Sequence, residues 1–568
     1  MVPRCGAVFL TLWTAVFGIS PTVETPLGTV EGFEHESAQV FLGIRYAEPP
    51  VGNARFEKPK SAKKWTGVLQ AKEFGPSCYS TIMDGPWADL QYSEDCLSMN
   101  IMAPKEDKPE GYPVVFFVHG GGFEFDTATF LGYKTIVNNF VSQGIVFVHF
   151  NYRLGPFGFV TTENDVLPGN LGLWDQALAL EFVSGIIGSF GGNPSQITAM
   201  GESAGAMSVS ALTVSPHTRD LIQKSIQISG SSYALPLAGQ DKFGIEFLAK
   251  IGCLSEESEE VKDCLKKKTW QEIVKTAADL APPLSSDKPI GGRYFPYIDR
   301  DFFQKDMPTL LQDSRPIPTI IGLNQVEAAV FVFSPDNVSY IEVPPSRYSN
   351  YSAEDFKKTL GRIGSNISHL ASLLEDFYLD QAGSKSHDSE VDLTQLCNVN
   401  ALRIIVLSAI IQVAGDITFV LPSFQESLEK TRRNWTIRLF VEEYFDDSEQ
   451  RRKMIPVPGS SHANELPYLF DVSPMFPSVG GESSQKFRRN MVEGFVSFVK
   501  SDEPVVDGTA WNAITNEDLF KYMALDAKSE MKTGFFKDRM EFWLKEVARN
   551  VDLKKLEYLL PQIRSGLL

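Results

Sequence analysis

Gly201-Glu202-Ser203-Ala204-Gly205 sets one serine between two glycines, where the short apolar run 196–200 gives way to the small apolar residues 206–213. A strand that turns straight into a helix holds its central residue in strained geometry. It also crowds the positions two before and two after, so both must be glycine. Ser203 would then stand at a helix N-terminus, where free N–H groups and the helix dipole favour developing negative charge. Upstream, His119-Gly120-Gly121-Gly122-Phe123 directly follows the apolar run 113–118. Three glycines after a strand let the backbone approach a substrate with its N–H groups aimed at a carbonyl oxygen that becomes negative during attack. A serine nucleophile with such a loop is the apparatus of acyl transfer.

A serine hydroxyl is a poor nucleophile at neutral pH, so it needs a histidine to take its proton and an acid to orient the imidazole. Seven histidines are available. His119 belongs to the glycine loop, and His149 lies in the apolar run 145–150. His35, His217, His369 and His387 sit in polar surroundings with no supporting pattern, whereas His462 comes after the strand-like run 436–445. Chain order on a strand-turn-helix hydrolase places the acid between serine and histidine, within 204–461, an interval that holds many carboxylates. Strand-like runs at 114–118, 145–150 and 226–229 alternate with helix-like ones such as 175–190. This pattern predicts an α/β fold with a mainly parallel sheet flanked by helices.

Further segments carry a family likeness. They include Phe41-Leu42-Gly43-Ile44-Arg45-Tyr46-Ala47-Glu48-Pro49-Pro50-Val51-Gly52, Ser93-Glu94-Asp95-Cys96-Leu97-Ser98-Met99-Asn100 and Asn151-Tyr152-Arg153-Leu154-Gly155-Pro156-Phe157-Gly158-Phe159. Gly169-Asn170-Leu171-Gly172-Leu173-Trp174-Asp175-Gln176, Phe190-Gly191-Gly192-Asn193-Pro194 and Phe542-Trp543 extend it. Together with the serine and glycine motifs, they resemble the type-B carboxylesterases and cholinesterases of the α/β-hydrolase fold over residues 25–546. The resemblance implies one catalytic domain with large insertions, 21–568. It implies a serine carboxylesterase that works through an acyl-enzyme intermediate on a small-molecule ester, with no metal or organic cofactor.

Within that resemblance, Pro458-Gly459-Ser460-Ser461-His462-Ala463-Asn464-Glu465-Leu466 is similar to the family's catalytic-histidine loop, and Gly322-Leu323-Asn324-Gln325-Val326-Glu327 to the loop bearing its catalytic glutamate. The implied set is Ser203, Glu327 and His462, with the N–H groups of Gly121, Gly122 and Ala204 as the oxyanion hole. Family members usually have glycine after both acid and histidine, whereas this chain has Ala328 and Ala463, each adding one methyl group. Glu202 brings a second negative charge beside the nucleophile, able to favour an imidazolium or a cationic group. Cys78 with Cys96, and Cys253 with Cys264, match two family disulfides, which leaves Cys397 over as an expected buried thiol. Trp87 lies near the position of the cholinesterases' choline-binding tryptophan, but in a shorter loop, and Val330 stands where an aromatic is usual. Packing is therefore expected of Trp87, and a general carboxylesterase rather than a choline esterase. The alternatives are a cholinesterase, a lipase, or a catalytically silent adhesion protein of the kind some relatives are.

A net charge of −18 argues against nucleic acid as a partner. Residues 1–20 read as a secretory signal, positively charged at Arg4 and then apolar. No later stretch reads as long and apolar enough to span a bilayer, 401–414 with its Arg403 coming nearest. The tail Ser565-Gly566-Leu567-Leu568 matches neither an ER-retention nor a lipid-anchor signal, so secretion is expected. Sequons at Asn337, Asn350, Asn366 and Asn434 would then be open to glycosylation. Oligomeric state has no signal in the sequence.

Overall fold

The structure is a computed structural model that describes residues 20–164, 167–235, 241–280, 294–333, 351–363, 369–388, 399–446, 448, 455, 457–472 and 480–552. Residues 1–19 of the expected signal, Asn337, Asn350, Asn366, Cys397 and the C-terminal tail lie outside them.

Eleven strands form one large sheet. In chain order they are β1 (Phe33–His35), β2 (Ala38–Arg45), β3 (Ser98–Pro104), β4 (Tyr112–Val118), β5 (Val146–Phe150), β6 (Gly192–Glu202), β7 (Lys224–Ile228), β8 (Thr319–Asn324), β9 (Ile437–Glu442), β10 (Lys521–Leu525) and β11 (Glu530–Thr533). The spatial order is β1-β2-β3-β5-β4-β6-β7-β8-β9-β10-β11. From β5 to β10 every neighbouring pair is parallel, and antiparallel strands close both ends. The strands expected at 114–118, 145–150 and 226–229 are β4, β5 and β7 to within two residues. The helix expected at 175–190 is α1 (Leu171–Ile186).

Parallel strands must be covered on both faces, so they read as unbroken apolar runs. Val114, Phe116 and Val118 of β4 enter one buried cluster, while Val115 and Phe117 enter the other. At the sheet's centre Gly322 leaves room for a neighbour, since a Cβ there would lie 1.8 Å from the Phe440 ring on β9.

One expectation needs correction. The apolar stretch does not end near 414: a helix of 28 residues runs from Ile404 to Thr431, long and apolar enough to cross a membrane by length and composition. It begins in α4 (Val399–Gly415) and ends in α5 (Leu421–Thr431), where burial explains its character: 72% of its apolar window lies inside the fold. Its last turns also carry Glu426 and Lys430, ion-paired at 2.5 Å and each 1% exposed. The burial of this charged pair is supported by partners on other elements, which lie far away in sequence. Ser210, Ser231 and Gln227 all donate to Glu426.

Cys78–Cys96 and Cys253–Cys264 are bonded. Asn434 is exposed, in the turn between α5 and β9. Replacing Cys253 and Cys264 together by serine should cost about 3 kcal/mol in denaturant unfolding, the loop-closure entropy returned to the unfolded chain. An unchanged midpoint would contradict this.

Candidate active site

The functional side chains gather at the carboxyl ends of adjacent parallel strands, where ligands bind in open α/β sheets. Val118 at the end of β4 pairs with Gly201 of β6, and Glu202 pairs with Ile228 of β7. The same registry brings the end of β8 beside both β7 and β9.

Ser203 links β6 to α2 (Ala204–Leu212) with φ 56° and ψ −124°, a conformation unfavourable for any residue with a Cβ. Its N–H donates to Ile228 O at 2.8 Å, and its carbonyl accepts from Met207 N at 2.9 Å, so the strain is held from both sides. The flanking glycines are sterically required. A Cβ at Gly201 would lie 2.4 Å from the Gly205 carbonyl, and one at Gly205 only 2.1 Å from Val118 O. That second contact packs the elbow directly on the end of the strand that feeds the glycine loop.

In that loop Gly121 and Gly122 have φ of +86° and +61°. A Cβ at Gly121 would sit 2.1 Å from Phe125 O. His119 is buried, stacks on Tyr152 at 4.4 Å and is pushed down to about 4 by burial, so it stays neutral. Tyr152 donates its hydroxyl to His119 O at 2.9 Å, anchoring the loop's start.

The structure brings Ser203, His462 and Glu327 into one line. His462 Nε2 lies 2.8 Å from Ser203 Oγ, and Nδ1 lies 2.8 Å from Glu327 Oε2. The other carboxylate oxygen of Glu327 accepts from Ser229 Oγ and Asn324 N, both at 2.6 Å. Acid and histidine come from loops after β8 and β9 that are laced together. Gln325 N donates to Ser460 Oγ at 2.9 Å, Val326 N to Ser460 O at 2.9 Å, Val330 N to Ser461 Oγ at 3.1 Å and His462 N to Glu327 O at 3.3 Å. Among the described residues, His35, His119, His149, His217 and His369 are not part of this line, and the His387 side chain lies outside the described residues.

Two more buried acids face the imidazole. Glu202 Oε1 is 3.3 Å from His462 Nε2. Burial holds its carboxyl well above the usual range, with the charges of Glu465, Asp126 and Glu327 adding. Glu465 is pushed up to about 7, first by burial, while the His462 charge pulls the other way. Asn324 Nδ2 reaches toward its carboxylate at 3.5 Å. Glu465 carries no role legible in the histidine loop, and the only signal of Ser229 is its place just past the end of β7. Phe331 at 5.1 Å and Phe419 at 4.6 Å cover His462, a contact with no local sequence signal. Trp87 is 8% exposed and packs edge-on against Phe125 at 5.2 Å.

The profile of the carboxylesterase family matches residues 19–543. This chain belongs to the carboxylesterase family. Gut esterase 1 of Caenorhabditis briggsae is 33% identical over 544 residues, covering 92% of each chain. Gut esterase 1 of Caenorhabditis elegans is 33% identical over 541 residues, again 92% of each. The mouse cholinesterase is 30% identical over 581 residues, 94% of this chain and 89% of its own. The α/β-hydrolase fold expected from the sequence is thus the fold of this carboxylesterase, whose large mixed sheet and flanking helices agree with it.

Ala463 follows His462 with φ +64° while 3% exposed. A left-handed residue with a Cβ costs about 1–2 kcal/mol, and glycine returns roughly 0.5–1 of that as unfolded-chain entropy. Ala463→Gly should therefore stabilise the fold by about 0.5–1 kcal/mol in denaturant titration, and destabilisation would contradict the strain. For Glu465 the folded chain binds the proton more tightly than the unfolded chain, so stability falls as pH rises from about 4.3 towards 7 and then levels. Glu465→Gln should accordingly melt higher than the native protein at pH 8, with the gap closing towards pH 5. A gap independent of pH would argue against a raised carboxyl.

Proposed function

We propose that this carboxylic ester hydrolase acts through Ser203 as nucleophile, His462 as general base and acid, and Glu327 as the group that orients the imidazole. The observation that carries the reading is the unbroken hydrogen-bond line from Ser203 Oγ through His462 to Glu327, 2.8 Å at each step. Ser203 Oγ attacks the ester carbonyl as its proton passes to Nε2. The carbonyl oxygen becomes an oxyanion held by the N–H groups of Gly121, Gly122 and Ala204. Collapse expels the alcohol, which takes the proton from His462, and the acyl group stays on Ser203. Water then repeats the sequence and releases the acid. Glu202, 3.3 Å from Nε2, stands where the imidazolium forms and would add negative potential there once ionised.

The substrate class proposed is short alkyl or aryl carboxylic esters rather than choline esters. Trp87, the ring at issue for a quaternary ammonium, is buried against Phe125 and Phe130. The proposed setting is extracellular: two disulfides are formed and Asn434 is exposed for glycosylation.

Steady-state hydrolysis of p-nitrophenyl butyrate and acetylthiocholine by the full chain tests both parts. The expected result is faster turnover of the aryl ester, lost by at least roughly 10³-fold in Ser203→Ala. Unchanged turnover in Ser203→Ala would overturn the assignment of the nucleophile. Faster turnover of acetylthiocholine would overturn the substrate class.

A further inference from the structure

The long helix that ends in α5 is not α-helical throughout. Between α4 and α5 lies a π turn, Asp416–Val420. A π turn takes in one extra residue, so the side chains after it are rotated by about 100° from where an unbroken α-helix would put them. This turn carries Phe419, whose ring lies 4.6 Å from the His462 imidazole at an interplanar angle of 36°. Phe331 covers the same imidazole at 5.1 Å, and the two phenyl rings lie nearly parallel, 13° apart in plane.

A second π turn, Phe542–Val547, lies in the last described helical segment and carries Trp543. The two turns meet at one buried hydroxyl. Tyr378, on α3 (Leu370–Asp388), donates to Asp416 Oδ2 at 2.5 Å and accepts from Trp543 Nε1 at 2.6 Å. The Arg539 guanidinium lies 3.3 Å from Asp416 Oδ1. Tyr378, Asp416 and Trp543 are fully buried, and Arg539 is nearly so. Burial and the charge of Asp416 push the tyrosine hydroxyl well above its usual range, which keeps the proton it donates. The blander account is that this network only seats the C-terminal helix. Its acid, however, is the first residue of the π turn, three positions before the ring that covers His462.

We propose that Tyr378, acting through Asp416, is a positioning residue for the reaction: it fixes the π turn that holds Phe419 on the imidazole, and so fixes the ring that carries the proton between Ser203 and the leaving group. The inference rests on the reading of His462 as the general base. Packing chosen to fix a ring's orientation acts on the chemical step and leaves ground-state binding of ester untouched.

The test is a double-mutant cycle in the full chain on p-nitrophenyl butyrate, with Tyr378→Phe and Phe419→Leu. Each is expected to lower kcat by about tenfold with KM within about twofold, since misplacing a catalytic group by a fraction of an ångström costs this order of rate. The double variant should be no slower than the slower single one, because both remove the same device. As a control, Phe424→Leu, one turn further along the helix and packed on Phe520, should combine multiplicatively with Tyr378→Phe. If Tyr378→Phe does not fold, Trp543→Phe, which removes the donor to its hydroxyl along with part of a buried ring, enters the same cycle. The downfield proton resonance of His462 Nδ1–H should broaden in Tyr378→Phe, a signature that a merely structural role would not move. Unchanged kcat in the single variants, or losses that multiply in the double one, would overturn the proposal. His462→Asn separates the two readings: if turnover survives it, the base assignment itself fails. If turnover is lost there but the cycle is additive, only the positioning role fails.

Discussion

The geometry of this molecule turns on a contact with no room in it, the approach of Gly205 to the carbonyl of Val118. A single methyl group there would stand 2.1 Å from that oxygen. Because the elbow after β6 packs so closely on the end of β4, the start of α2 and the glycine loop share one space. The amides of Ala204, Gly121 and Gly122, proposed as the oxyanion hole, belong to the backbone of these two turns. Backbone donors fixed by a sheet need no reorganisation when charge develops, which is what makes them effective for an oxyanion. The strained Ser203 is held by β7 through the bond from Ser203 N to Ile228 O and by the first turn of α2 through the bond from Met207 N to Ser203 O.

Acid and base are held by a different means. Both lie on loops, which alone would leave the imidazole loosely placed. The loops are stitched to each other by Ser460 and Ser461, and Glu327 is fixed by Ser229 and Asn324 before it meets the histidine. Around this line the fold places two further carboxyls, Glu202 and Glu465, whose burial favours their protonated forms. The site thus holds potential negative charge in reserve next to a ring that must become positive. Two phenylalanine rings, Phe331 and Phe419, cover that ring.

Much of this was legible in the chain because local sterics dictate it. Gly201, Gly205 and the glycines after His119 are demanded by turns whose signature lies within a few residues, and the apolar runs of β4 and β5 announce strands covered on both faces. Glu327 was legible only through family likeness, since nothing nearby distinguishes it from other acidic loop residues. Ser229, Glu465, Phe419 and the Tyr378–Asp416 pair were not legible. Their meaning comes from tertiary neighbours tens or hundreds of residues away. The same reason hides the full extent of the helix ending at Thr431, whose buried Glu426 is satisfied by Ser210, Ser231 and Gln227 and paired with Lys430.

The central claim is that one serine becomes acylated with the help of one histidine. Rapid acid quench during turnover of p-nitrophenyl butyrate, followed by peptide mass analysis of the whole protein, tests it directly. The account predicts a single butyryl group on the peptide containing Ser203, forming much more slowly in Glu327→Gln and not at all in Ser203→Ala. A turnover-competent enzyme that carries its acyl group on another residue, or accumulates none under conditions where deacylation limits the rate, would contradict it.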